Sequence, residues 1–408
     1  MKIGSEERNI IVIALTAVTI TILIIIFSEP AFNAAFEGLE VWWEIVFPSL
    51  LPFFIIAEIL MGLGVVHFLG ALLEPLMRPL FKVPGVGAFA MAMGLASGYP
   101  IGAKITANLR RDNLCTKTEA ERLVSFTNTA DPLFMIGAVA VGMFGRSDLA
   151  LIIAGSHYIS SFLIGIIMRF YPGENDDMEK IKKDDNNDVN IFKKAIYELI
   201  EARKNDGRGL GELLGDSVRE SINTLLMIGG FIVLFSVITK IFQVTGIINI
   251  FNTIILFVLE PFGFSESMTL PLISGIFEIT NGTNIAAQAR APLIEKLIIC
   301  NIIIAWSGIS VHGQVATMIK GTDINIKPYI LARILQSLLA GITTIILFIL
   351  VSDKISPVFH QTLFTEGINL QNILISVSLL ALFIIISGII VSLFLHFIKK
   401  IKIVFFHT

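Results

Sequence analysis

The sequence is short of charge. Only 15% of its 408 residues are Asp, Glu, Lys or Arg, against roughly 25% in soluble domains. That deficit excludes an ordinary cytosolic domain and a disordered chain. Cysteine is nearly absent: Cys115 and Cys300 are the only two, which excludes a disulfide framework and a cysteine metal cluster. Lys and Arg are missing from Asn9 to Met77. The chain also lacks His-Glu-x-x-His, a phosphate loop, Gly-x-Ser-x-Gly and a cysteine–histidine metal spacing, so no enzyme, metal or cofactor is called for. A net charge of −3 gives no reason to expect a nucleic-acid partner. Sustained strand alternation, the mark of a porin-type barrel, is absent too.

Apolar residue is what the chain has in plenty. It is 54% hydrophobic with a mean hydropathy of +0.81, and runs of 18 or more apolar residues recur, as an all-α polytopic membrane protein requires. Full spans are predicted at 10–27, 46–69, 121–145, 148–168, 221–243, 297–319, 329–351 and 372–398, eight in all. The first carries no small-residue cleavage site and reads as an uncleaved span, not a signal peptide. Residues 71–82 and 247–263 read as interfacial helices. The division expected is an N-terminal transmembrane helix (1–40), a first repeat (41–171), a cytoplasmic polar loop (172–217), a second repeat (218–327) and C-terminal transmembrane helices (328–408). The loop is either a docking element or a solvated linker with one surface helix at 191–204.

Basic residues orient the chain. With the N-terminus inside, only Arg146, Lys240, Arg290, Lys296 and Lys354 of the 30 fall outside, so both termini are expected in the cytoplasm. Two apolar stretches, 84–109 and 268–290, are too short and broken to span. Threading makes them re-entrant hairpins entering from opposite faces. The halves repeat weakly: Leu73-Glu74-Pro75 recurs as Leu259-Glu260-Pro261, each followed by a broken hairpin and then an interrupted span. Inverted repeats with matching broken segments point to a transporter's binding site. A backbone that stops being helical inside a bilayer is tolerable only where it faces protein, water or ligand.

The candidate site residues follow. Gly98, Tyr99, Pro100, Gly102 and Lys104 form the first tip and the start of its second arm. The glycines permit close approach, Pro100 starts a half-helix, and Lys104 either meets an anion or snorkels to the inner surface. Asn128, Thr129 and Asp131 interrupt an apolar span. Asp131 would accept a proton, pair with a coupling cation or Lys104, or simply cap a helix end. Glu278, Thr280, Asn281, Gly282 and Asn284 are the second hairpin's counterparts, with the tip expected around 280–284. A carboxylate there is expensive to bury, so Glu278 is expected paired or protonated. Ser310 and His312 come from the second interrupted span, with His312 either structural or lining a cavity.

Pro48-Ser49-Leu50-Leu51-Pro52-Phe53-Phe54, Ser97-Gly98-Tyr99-Pro100-Ile101-Gly102-Ala103-Lys104, Thr127-Asn128-Thr129-Ala130-Asp131-Pro132 and Glu278-Ile279-Thr280-Asn281-Gly282 resemble sporulation integral membrane proteins of the YlbJ type. Those carry two gate, or nucleoside-recognition, domains. The resemblance implies a fold similar to concentrative nucleoside transporters and a place in the outer forespore membrane of a spore-forming bacterium. The substrate it implies is dipicolinate, moved from the mother cell toward the forespore. A nucleoside or another small organic anion is the alternative cargo, and a non-transporting assembly factor for the spore envelope is the alternative role. Expected partners are therefore a small-molecule anion, membrane lipid, and a coupling cation or proton, with homo-oligomerisation open.

Overall fold

The computed structural model describes residues 5–172 and 191–351. Every regular element among the described residues is helical. The chain runs through α1 (Ser5–Ile26), α2 (Ser28–Val41), α3 (Phe47–Gly62) and α4 (Val65–Leu76). A hairpin of α5 (Gly87–Ser97) and α6 (Ile101–Arg111) follows. Next, α7 (Lys117–Thr127) stops short of a π-helix at Phe134–Met143, and α8 (Ala150–Met168) closes the first half. Then come α9 (Ile191–Asp206), α10 (Leu210–Val244) and α11 (Ile247–Leu259). A second hairpin pairs α12 (Thr269–Phe277) with α13 (Ile279–Gln288). The chain continues through α14 (Leu293–Trp306), α15 (Gly308–Met318) and α16 (Ile326–Val351).

Among the described residues four helical stretches are long and apolar enough to cross a membrane: Ser147–Met168, Leu210–Val244, Leu293–Met318 and Ile326–Val351. Two bent pairs qualify jointly, Ile10–Ile26 with Ser28–Val46 at 99° and Leu50–Gly62 with Val65–Phe81 at 74°. The span expected at 372–398 lies outside the described residues.

Local chemistry explains where three boundaries moved. The span expected at 46–69 ends at Gly62, because Gly64 adopts φ 80° and turns the chain into α4. A β-carbon at Gly64 would collide with the Leu199 carbonyl of α9, so the bend is also a close-approach point. Residues 28–46, which follow the first span, continue as helix. Residues 210–217, expected in the polar loop, are the first turns of α10, whereas the surface helix expected at 191–204 is α9.

The interruption at 121–145 is a true break. A Thr116/Glu119 capping box starts α7, worth about 1 kcal/mol. The helix ends at Asn128, and Pro132 cannot extend it. The break at 297–319 falls at Ser307 and Gly308, both with positive φ. The first hairpin is folded tightly onto the first break: β-carbons on Gly94 and Gly102, one from each arm, would both strike the Thr127 carbonyl. In the second hairpin Gly282 lies against the backbone of Gly275 and Pro271, contacts a continuous helix of 1.5 Å rise per residue would forbid.

The hairpins open toward opposite ends of the 293–318 span. At the mouth of the first, Arg110 makes a two-point ion pair with Asp323 at 2.8 Å, and Arg111 donates to the carbonyls of Met318 and Lys320, both at 2.9 Å. At the mouth of the second, Lys296 donates to the Ala287 carbonyl at 3.1 Å, and the Glu295 carboxylate accepts from the Ser265 amide at 2.7 Å.

Two outcomes are expected. Gly94→Ala should cost about 2 kcal/mol or more through overpacking, whereas Gly230→Ala, with open space at its β-carbon, should be neutral or slightly stabilising; thermal unfolding in detergent reads both. Arg110 hydrogen bonds hold the Asp323 carboxyl below the usual aspartate range. A lowered folded value means full stabilisation above the ordinary pKa and loss as pH falls through the folded one. The stability gap between wild type and Asp323→Asn should therefore be level above about pH 5 and shrink below about pH 4.

Candidate functional site

The two hairpin tips and the two helix breaks converge on one small cleft. Its polar wall comprises Tyr99, Asp131, Glu278, Thr280, Ser310 and Gln314. Val46, Leu50, Phe54 and Phe134 from the first half and Ile228 and Phe231 of α10 supply the apolar wall.

Each tip rests on a break of its own half. Gly98 approaches Asp131 so closely that a β-carbon would contact its carboxylate, and Gly308 packs the same way against Phe277 and Glu278. Both cleft carboxylates are buried, and each caps the half-helix it precedes. Asp131 Oδ1 accepts from the amides of Leu133 and Phe134 at 3.0 and 2.9 Å. Glu278 Oε2 accepts from the Asn281 amide at 2.8 Å. The starts of α6 and α15 carry no side-chain cap. The cleft lining thus includes residues at the starts of α13, of α15 and of the helix after Asp131, with Tyr99 just ahead of α6; two of these four starts carry their own carboxylates and two do not. N-termini carry partial positive charge.

The structure moves the second tip. The chain turns at Glu278, and residues 280–284 lie on α13. Thr280 lines the cleft. Asn281 turns the other way, donating to Ser236 Oγ at 2.8 Å and more loosely to the Ile232 carbonyl at 3.3 Å, which ties the hairpin to α10. Gly282 is the arm-to-arm contact, and Asn284 accepts from Gln288 at 3.1 Å. In the first hairpin Tyr99 enters the cleft lining while its hydroxyl donates to the Ile304 carbonyl at 3.0 Å. Pro100 is buried, and Gly102 is a packing contact. Lys104 is exposed on α6 and outside the lining.

Of the first break, Asp131 alone among the three expected residues lines the cleft. Thr129 donates to the Gly94 carbonyl at 3.0 Å, and Asn128 donates to the Tyr329 hydroxyl at 3.0 Å. From the second break Ser310 faces the cleft with a buried, unpartnered hydroxyl. His312 does not line it: Nδ1 bonds the Gly308 carbonyl at 2.7 Å, and the ring lies between Trp306 and Tyr329 at 4.4 and 5.2 Å.

Two residues that the sequence did not single out, Arg333 and His157, complete the first break. Arg333 is wholly buried on α16 and donates to the Asn128 carbonyl at 3.1 Å and to the Ser125 carbonyl. Its guanidinium lies over the Tyr329 ring, 5.3 Å from the centroid. His157 Nε2 accepts from the Ala130 amide at 3.1 Å. Each meets a main-chain group that the break releases. An arginine inside a predicted span was the available signal.

The Gate family, described as nucleoside recognition, matches residues 43–172. The chain is similar to sporulation integral membrane protein YlbJ of Bacillus subtilis (strain 168), with 43% identity over 343 residues covering 84% of each chain. It is 33% identical over 144 residues, 33% of its length and 31% of the other's, to an uncharacterised protein of Alkalihalophilus pseudofirmus. A solved structure of CNTnw in an inward-facing substrate-bound state aligns with 14% identity and a TM-score of 0.44, covering 84% of this chain and 88% of that one. On the extent and identity of the first of these relatives, this all-α membrane protein belongs to the YlbJ family of sporulation integral membrane proteins.

Proposed function

We propose that the protein is a secondary transporter that moves dipicolinate across the outer forespore membrane during sporulation. The single observation that carries the transport reading is the convergence of two re-entrant tips and two helix breaks on one cleft. Broken helices in matching halves are how such carriers expose main-chain dipoles to a solute. Dipicolinate is a small flat dianion. The uncapped starts of α6 and α15 suit its carboxylates, and the half-buried Tyr99 ring offers its heterocycle a stacking face. Cleft opening alternates between the two sides as the hairpins shift against the surrounding spans. The opposed mouths of the hairpins support that reading, as does the basic end of the fold around Arg110, Arg111 and Lys320, with both termini on that same cytoplasmic side. A coupling proton or cation would meet Asp131 and Glu278 first.

A nucleoside is the second reading. The matched family is described by nucleoside recognition, and Thr280, Ser310 and Gln314 offer uncharged hydrogen bonds. Purified full-length chain in liposomes separates the readings. Dipicolinate uptake above protein-free vesicles, followed by terbium luminescence, is the expected result. Uridine uptake with no dipicolinate uptake favours the second reading. Uptake of neither leaves an assembly factor.

Within this reading, Thr280→Ala and Gln314→Ala should each slow dipicolinate uptake by about tenfold, the loss of one hydrogen bond to a charged solute. Membrane insertion should be unchanged. Lys104→Ala, outside the cleft, should change uptake by less than about twofold. A large loss in that variant with normal expression would move the anion site toward α6.

A further inference from the structure

Arg333 is the one Lys or Arg side chain wholly buried among the described residues. A buried guanidinium normally sits with a carboxylate, because an unpaired charge is costly in an apolar interior. Here no carboxylate among the described residues lies within ion-pair distance of it. Its partners are dipoles: the carbonyls of Ser125 and Asn128 and the face of Tyr329. Those carbonyls end α7, the negative pole of its helix dipole. Nε is buried without a partner. Tyr329, wholly buried, also receives the Asn128 amide on its hydroxyl. One arginine and one tyrosine of α16 thus hold the break from behind.

The cleft wall begins two residues further along, at Ala130, and its first charged group, Asp131, is three along. Three residues span at most about 11 Å, so the guanidinium lies within that order of distance from the cleft wall. The charge of Asp131 is already engaged by the amides of Leu133 and Phe134, and that of Glu278 by the amide of Asn281. The arginine charge is likewise held by dipoles, the Ser125 and Asn128 carbonyls, with no carboxylate within ion-pair distance among the described residues.

Building on the transport reading, we infer that Arg333 is the positioning residue of the site: it holds the 125–128 turn in register and lends the cleft a fixed positive charge that selects an anionic over an uncharged solute. At such a separation in a medium of intermediate dielectric, a unit charge shifts an anion's affinity on the order of tenfold. Two-point donation needs the planar fork of arginine, which an ammonium lacks. Charge and position are thus separable by substitution.

The test compares dipicolinate with its uncharged diamide, pyridine-2,6-dicarboxamide, on the full chain in liposomes. Unaltered protein should bind and move the dianion on the order of tenfold or more better than the diamide. Arg333→Met should bring that ratio toward one while still moving the diamide. Arg333→Lys should keep the preference for the dianion but turn over more slowly. An unchanged ratio in a folded Arg333→Met variant overturns the inference. Should the methionine variant fail to fold, the unaltered protein decides alone: equal affinity for both solutes overturns the charge selection. If the unaltered protein moves neither solute, the transport reading falls, whereas equal movement of both sinks only the role given to Arg333.

Discussion

The fold depends on what becomes of main-chain groups where helices stop inside an apolar interior. An amide or carbonyl released there has no water to turn to, and leaving it unpaired costs several kcal/mol in hydrocarbon. The first break shows how fully this constraint is met. The Ser125 and Asn128 carbonyls receive Arg333, the Phe126 carbonyl receives Ser161 Oγ at 2.9 Å, and the Ala130 amide finds His157. The amides of Leu133 and Phe134 turn to Asp131. Every one of these partners except Asp131 comes from α8 or α16.

The second half solves the same problem with other residues. Trp306 Nε1 donates to the Ile276 carbonyl at 3.1 Å at the end of α12, Glu278 caps α13, and Tyr99 reaches over from the first hairpin to the Ile304 carbonyl. The Asn128–Tyr329 and Tyr99–Ile304 bonds cross between halves, so the cleft belongs to neither half alone. Residues that look like ligand-binding candidates, Asn128, Thr129 and Asn281 among them, instead hold the surrounding walls. That leaves a compact lining of Tyr99, Asp131, Glu278, Thr280, Ser310 and Gln314 set among half-helix starts.

Close backbone approach does the rest. Gly94 and Gly102 press both arms of one hairpin on the Thr127 carbonyl, and Gly275 meets Gly282 across the other. Small residues at helix contacts are favoured where no hydrophobic force drives helices together and packing must act at short range. Tips held this firmly fix the direction of the main-chain dipoles they present to the cleft.

Much was legible in the sequence by itself. Composition and long apolar runs determined a helical membrane protein, since no other backbone satisfies itself in lipid. Glycine, proline and polar residues inside apolar runs marked both hairpins and both breaks, because those residue types end helices for local reasons. Local pattern misplaced the second tip, since polar residues on one face of a half-helix read like a turn; the N-cap at Glu278 became clear only once α13 was seen to start there. Only the tertiary structure decided which polar groups face the cleft: Ser310 and Gln314 but not His312, Thr280 but not Asn281, Tyr99 but not Lys104. It alone brought Arg333 and His157 to a break some thirty to two hundred residues away in the chain. Partnership at such separations is set by how helices pack, and packing leaves no periodic trace in the residues that make it.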